Sequence, residues 1–217
     1  MTDTDDIADR IAEIILSPET ITGLVHGVLT VPLDFGYLVY GVFDTDSRYK
    51  HETTRIRMAD AIKNDILNYE NIINAVSMIF NSFNKYLSES EQDKVYRNVI
   101  ASIIGRMGTN TIISIIAAAV LERVSFITAT FKSRPIAALT GVLLIGGMME
   151  RSIRTSERLE QQSPDVYKTL RLRNYDLLYF LFEASTQPFV DAIQVRVTQG
   201  APAFRKIMEK LRIKLDA

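Results

Sequence analysis

Apolar residues recur along this chain at helical spacing. Ile7, Ile11, Ile14 and Ile15 share one face of a helix over 5–16, the three-and-four spacing an element of 3.6 residues per turn needs to bury one side. Ser17-Pro18-Glu19 then supplies a cap, a first-turn proline and an acid for a second helix that Pro32 stops. The run LDFGYLVYGVF at 33–43 reads equally as a short helix or a buried strand, and 44–47 makes a turn. The clearest period follows. Ile62, Ile66, Tyr69, Ile73, Val76, Phe80, Phe83 and Leu87 alternate steps of 4 and 3, a heptad seam that predicts one helix of about 50 Å over 53–87.

Ser88 or Ser90 caps a further helix that buries Val95, Val99, Ile103 and Ile104 and ends near Gly108. Asn110 caps the next, which runs to about Phe131. After a link at 132–134, a helix starts at Pro135 and continues through MMERSIRTSERLEQQ, so the two form a tight hairpin. Ser163-Pro164-Asp165 opens a helix through Tyr179 and Phe182, and Pro188 begins a short segment. Gly200 and Pro202 precede a last amphipathic helix with Phe204, Ile207, Met208 and Leu211 inside.

The expected fold class is all-α, a single multi-helix bundle around a central hydrophobic helical hairpin. No repeat, low-complexity tract or linker divides the chain, so 1–217 reads as one helical domain: N-terminal helices over 1–43, a main bundle over 44–185 holding the apolar hairpin 110–150, and C-terminal helices over 186–217.

Composition changes this picture in two places. The 25 basic and 26 acidic residues nearly cancel, which argues against a chain built to neutralise a phosphate backbone, so no nucleic acid is expected. The total conceals an asymmetry, with net charge -6 over 1–43 (seven acids, one base) and +4 over 151–217 (12 bases, eight acids). The absence of cysteine excludes disulfides and thiolate chemistry. MTDTDDIADR is acidic where a secretory signal needs a basic start, so the chain is expected to be made in the cytoplasm without a signal peptide and to leave only by a dedicated system.

Candidate chemistry is sparse. His26 lies in an apolar run and His51 in a charged one, with no metal-ligand spacing between histidines, and His26 is expected in the core or a groove. YLVYGVFDTDS resembles the first motif of haloacid-dehalogenase-type phosphatases, which would make Asp44 the nucleophile and Asp46 the acid–base. The remaining chain lacks the alternating strands and helices of that fold. A calcium loop would need glycine where Tyr49 stands, so a solvated turn is expected. Gly105–Asn110 (GRMGTN) lacks the Lys-Ser/Thr of a phosphate-binding loop. No enzyme and no cofactor or metal site is expected.

Four runs lack charge, 20–33, 71–84, 107–121 and 135–149, the last two of 15 residues each. Fifteen helical residues span about 22 Å, short of the roughly 30 Å of hydrocarbon in a bilayer. The pair over 111–149 is apolar nearly all round, with Ile112, Ile113, Ile115, Ile116, Val120 and Leu121 on one arm and Ile136, Leu139, Val142, Leu143, Leu144 and Ile145 on the other. Such helices form the centre of a bundle or enter a membrane. Ala117–Ala119, Ala137, Ala138, Gly141, Gly146 and Gly147 suit close helix contact, as does the GxxxG of GLVHG at 23–27.

This arrangement resembles the colicin-like pore-forming toxins and the small pore-forming effectors of type VI secretion, in which amphipathic helices shield a hydrophobic hairpin. The resemblance implies a non-enzymatic, membrane-depolarising antibacterial effector that acts on a target-cell inner membrane. Its inserting hairpin would comprise Ile112, Ile116, Val120, Leu139, Gly141, Val142, Leu143, Ile145 and Gly146. Arg151, Arg154, Arg158, Lys206 and Lys210 would dock on lipid headgroups. The partners it implies are the lipid bilayer, an immunity or carrier protein and further copies of the chain in the membrane. The chain departs from the colicin pattern where Glu122 and Arg123 interrupt the first arm and where 67 residues follow Glu150. The alternative from a different class is a soluble helical interaction protein, such as an immunity protein, chaperone or accessory factor, that holds a protein partner in an apolar groove.

Overall fold

Helices make up nearly all of the described chain, and no strand occurs among the described residues. The computed structural model describes residues 4–17, 19–28, 48–89, 105, 109–132 and 137–217. Its helices are α1 (Thr4–Leu16), α2 (Glu19–Val28), α3 (Arg48–Lys63), α4 (Tyr69–Glu89), α5 (Thr109–Lys132), α6 (Ala137–Gln162), α7 (Pro164–Arg171), α8 (Tyr179–Gln199) and α9 (Ala201–Leu215), with a 3-10 turn at Tyr175–Leu178 before α8. The all-α helical bundle expected from the periodicity is the observed fold. The ambiguous run at 33–43, the Asp44 and Asp46 turn and, apart from Gly105, residues 90–108 of the helix expected to begin at Ser88 or Ser90 lie outside the described residues, as do the side chains of His26 and His51, while the backbone of Ser88 itself lies within α4.

At the centre is α8, which packs against α1, α2, α4, α5, α6 and α9. Its sequence explains the position. Phe180, Leu181, Phe182, Phe189, Val190, Ala192 and Ile193 are all buried and point to more than one side of the helix, so most of its surface meets other helices, and a strip with Glu183, Gln187 and Asp191 is partly open. Phe189 meets Phe80 at 4.6 Å between ring centres and the Phe83 ring edge-on at 5.3 Å, and Phe83 meets Phe204 at 5.9 Å. These offset and edge contacts are the favoured aromatic geometries, and they bind α4, α8 and α9 together. Pro188 lies within α8 and does not begin a separate segment. It withholds one N–H from the carbonyl of Ala184, a loss the surrounding apolar packing tolerates.

The charge asymmetry between the two ends has a structural outlet. α1 lies along α9, and Lys210 Nζ stands 2.5 Å from Asp5 Oδ1 while Lys214 pairs with Asp9. Lys210 also donates to Thr4 Oγ1 at 3.3 Å, and Arg10 donates to Asp191 of α8 at 3.3 Å. Asp5 and Asp9 of the first helix and Lys210 and Lys214 of the last therefore pair at the surface, over a shared apolar seam of Ile7, Ile11, Phe204, Ile207 and Leu211, each fully buried.

Two long helices expected from the pattern are each divided in the structure. The seam at 53–87 breaks at 64–68, where Asp65 adopts a left-handed φ of 54°. The Asn64 amide donates to the Asp60 carbonyl at 2.8 Å, and Asn68 Oδ1 accepts the Asn71 N–H at 2.8 Å as the cap of α4. These short polar side chains offer the backbone local partners that compete with the helix ladder. Beyond the break the seam holds from Val76 on, with Val76, Phe80, Phe83 and Leu87 fully buried, whereas Ile73 is partly buried and Tyr69, at the start of α4, is 45% exposed. The helix expected over 164–182 likewise ends at Arg171, because Asn174 takes a φ of 60° ahead of the 3-10 turn. In α2, a side chain added at Gly23 would meet open space, so that glycine does not mark a close helix crossing.

α5 is packed on α2, α4 and α8, with a further contact to α6. The first arm of the expected hairpin is thus in the core, and α8 joins it there with an aromatic content that the uncharged runs do not show. Replacing Phe189 with alanine removes the ring shared by α4 and α8 and is expected to lower stability by about 3–5 kcal/mol. Leu172→Ala, at a position 88% exposed, should change it by less than about 0.5 kcal/mol. Urea unfolding of both variants followed by circular dichroism measures the contrast.

Candidate functional site

The second half of α6 is unusual for a buried helix. Glu150, Arg151, Ser152, Thr155 and Ser156 are all buried there, and buried polar groups persist only with partners. The Ser152 hydroxyl donates to the Leu177 carbonyl at 2.6 Å and Thr155 to the Arg151 carbonyl at 2.6 Å. Arg154 Nε donates to Glu150 at 3.0 Å, and Arg158 Nε to Glu183 of α8 at 3.1 Å. The Ser156 hydroxyl donates to Asp176 Oδ2 at 2.7 Å.

Asp176 is fully buried, and its other oxygen accepts from Arg57 Nη2 of α3 at 2.7 Å. Arg57 also donates from Nε and Nη2 to Asn174 Oδ1 at 3.0 and 2.9 Å. The left-handed backbone of Asn174, which ends the α7 segment, thus lies beside the carboxylate that the same guanidinium neutralises. Tyr175 extends the network by donating its hydroxyl to Asn71 of α4 at 2.8 Å.

Beside this node a cleft of about 180 Å³ opens between three helices. Thr53, Thr54 and Arg57 line it from α3, Ile153, Ser156, Glu157 and Glu160 from α6, and Tyr167 and Arg171 from α7. The Tyr167 phenol reports the local field. Burial first, then the charges of Glu160, Asp176 and Glu157, push its pKa up to about 12, with Arg57 opposing. The cleft lining itself balances two carboxylates, Glu157 and Glu160, against two guanidiniums, Arg57 and Arg171. The chain matches no known protein family, no curated protein and no solved structure.

A second, shallower cavity of about 400 Å³ lies between α1, α6 and α8. Its charges are paired across the walls: Gln187 donates to Asp191 Oδ1 at 2.7 Å, Arg10 to Asp191 Oδ2 at 3.3 Å, and Tyr179 to Gln187 at 2.8 Å. Burial raises the pKa of Asp191, opposed by Gln187 and Arg10. Among the described residues, no group of three or more His, Cys, Asp or Glu could hold a metal ion.

The residues expected to enter a membrane fall in two groups. Ile112, Ile116 and Val120 are buried in the bundle core. Leu139, Gly141, Val142, Leu143, Ile145 and Gly146 lie on the first half of α6, and their side chains fall outside the described residues. No described helix is long and apolar enough to cross a membrane. The residues expected to dock on headgroups lie in different settings. Arg151 is buried, Arg154 and Arg158 are held by Glu150 and Glu183, and Lys210 is held by Asp5, while Lys206 is exposed. Of these arginines Arg151 lies on the face that α6 turns inward, while Arg154 is 19% and Arg158 41% exposed.

The cleft itself escaped the sequence reading. Its one available signal was the density of Ser and Thr in RSIRTSERLEQQ, at positions that share a face with Ile153 and Leu159.

Asp176→Ala leaves Arg57 charged, only 15% exposed and without its carboxylate, and is expected to cost about 3–5 kcal/mol. Ser156→Ala should cost about 1–3 kcal/mol, because Asp176 then loses one partner only. Urea midpoints compare the two. The pKa of the Tyr167 phenol is higher in the folded state than its ordinary value of 10.0, so its share of stability is complete below pH 10 and is lost as pH rises toward about 12. Tyr167→Phe should therefore retain more stability than the parent in that alkaline window and differ little in its pH dependence below it, as read from unfolding curves at stepped pH.

Proposed function

We propose that this chain is a non-enzymatic helical binding protein that holds a protein partner at the cleft between α3, α6 and α7. The observation that carries the reading is a polar cleft whose lining residues have exposed apolar residues next to them in the chain. Ile56, 57% exposed, precedes the cleft residue Arg57, and Leu172, 88% exposed, follows the cleft residue Arg171. The bonds from Arg57 to Asn174 hold these two stretches of surface together. Apolar contacts around a few fixed polar groups are the anatomy of a recognition site. The bonded network behind the cleft orders its side chains in advance, which lowers the entropy cost of association. This differs from the apolar groove expected of an interaction protein, because the floor is charged.

A second reading is supported by the uncharged runs 107–121 and 135–149 on consecutive helices. In it the chain is a membrane-depolarising effector. Ile112, Ile113, Ile116, Ala117, Ala119 and Val120 are buried on several sides of α5, and lipid would replace α2, α4 and α8 as their cover in an exchange of one apolar environment for another. Arms of this length would require local thinning of the bilayer.

A photo-crosslinking amino acid at Leu172, introduced in producing cells, is expected to capture one discrete protein, and Ile56→Asp should abolish that adduct. The same crosslinker at the exposed Glu209 on α9 should not form it. No adduct at Leu172, or an identical one from both sites, defeats the binding reading. Discrete conductance steps across an anionic planar bilayer, lost in Gly141→Arg, would establish the depolarising reading in its place.

A further inference from the structure

We infer that the partner is a second copy of this chain, docked across a two-fold axis so that the basic elbow at 168–173 of each copy meets the acidic elbow at 60–70 of the other. The inference rests on the binding reading above and names the partner in it.

The two elbows lie side by side on the surface. Where α7 ends, residues 168–173 carry three cations, Lys168, Arg171 and Arg173, and no acid. Leu172 stands among them, 88% exposed. Across the break between α3 and α4, residues 60–70 carry three acids, Asp60, Asp65 and Glu70, and one cation, Lys63. Tyr69 is 45% exposed there, and Ile56, also exposed, lies one turn before Asp60 on α3. A left-handed residue stands at each elbow, Asn174 after the first and Asp65 within the second. Asn174 accepts from Arg57 of α3 at 2.9 Å, and the Tyr175 hydroxyl donates to Asn71 of α4 at 2.8 Å. α4 also packs against α7 and the 3-10 turn, so the two blocks of opposite charge are held on adjoining parts of one surface.

That layout suits a copy of itself. A closed two-fold interface uses the same patch on both subunits, so the patch must complement itself. A patch of one sign repels its own copy. Here the signs are sorted into two blocks, each with a large exposed apolar side chain, and a half-turn sets each block against its opposite. The mismatched docking, base on base and acid on acid, is disfavoured by like charge. Lys168, Arg173, Asp60, Asp65 and Glu70 are exposed and form no ion pair among the described residues, in contrast to Lys210 and Lys214, which Asp5 and Asp9 hold.

The apolar residues point the same way. Of the seven large apolar side chains exposed among the described residues, Ile56, Tyr69 and Leu172 belong to this surface, and apolar residues gathered in one place mark an interaction site. Ion pairs at such a rim each contribute little and are screened by salt. The dimer is therefore weak, salt-sensitive and specific in its orientation.

Sedimentation equilibrium of the full-length chain over a range of concentrations reads the association directly. Two block reversals are made at exposed positions, Lys168→Glu with Arg173→Glu, and Asp60→Lys with Glu70→Lys, with the fold of each checked by circular dichroism. The parent is expected to dimerise, and each reversal to weaken the dimer about tenfold or more by setting like charges together. Leu172→Asp should weaken it as well. The chain with all four reversals keeps the parent's net charge and inverts both contacts, so it is expected to regain the association. An equimolar mixture of the two double variants restores both contacts by a second route.

A parent that stays monomeric at every concentration overturns the inference, as does a dimer indifferent to both reversals or one regained neither in the fourfold variant nor in the mixture. The crosslink at Leu172 separates the two levels. An adduct with twice the mass of the chain supports the inference, and an adduct with a different protein leaves the binding reading standing and removes the second copy. The absence of any adduct removes the binding reading itself.

Discussion

A carboxylate with no access to water organises this protein. Asp176 is fully buried, and an isolated charge in such a place would cost several kcal/mol. The fold meets that demand with the Arg57 guanidinium on one oxygen and the Ser156 hydroxyl on the other. Because the first comes from α3 and the second from α6, the requirement fixes the position of two helices that are distant in sequence. α3 depends on it most. The helix is rich in charge along its length, and among its described side chains the buried ones are Thr54, Met58 and Ala61. The bond from Arg57 adds an orienting contact to their packing.

The remaining helices are ordered by apolar packing around α8. Phe80, Phe83, Phe189 and Phe204 share a cluster that joins three helices, and the pairing of α1 with α9 closes the bundle from both ends of the described chain. The salt bridges along that pairing are partly exposed, so they orient the helices more than they stabilise them. Polar restraint is concentrated at the 3-10 turn and the second half of α6. The cleft lies against that most heavily bonded region, where its walls are held in one arrangement.

Much of the helical pattern was legible because burial imposes a period. The faces of α1 and α9 and the seam from Val76 to Leu87 follow directly from apolar spacing. The breaks at 64–68 and 172–174 were not legible from that spacing, since Asn and Asp can sit on a solvated helix face or take a left-handed turn. Asp65 and Asn174 take the turn. Pro188 misled in the opposite direction. A proline interior to a helix is usually costly, yet the packing around α8 carries the helix past it.

By itself the sequence determined that the chain is helical, which faces of its regular helices turn inward, and that acids gather near one end and bases near the other. Those properties depend on neighbours within a few turns. Only the tertiary structure decided that these opposite charges meet each other, that Arg151 is buried and Arg158 pairs with Glu183, and that Arg57, Ser156 and Asp176 converge beside Glu157, Glu160 and Tyr167. Arg57 and Asp176 stand 119 positions apart, and a pairing over that distance is selected by the free energy of burying the whole bundle, which no local spacing encodes.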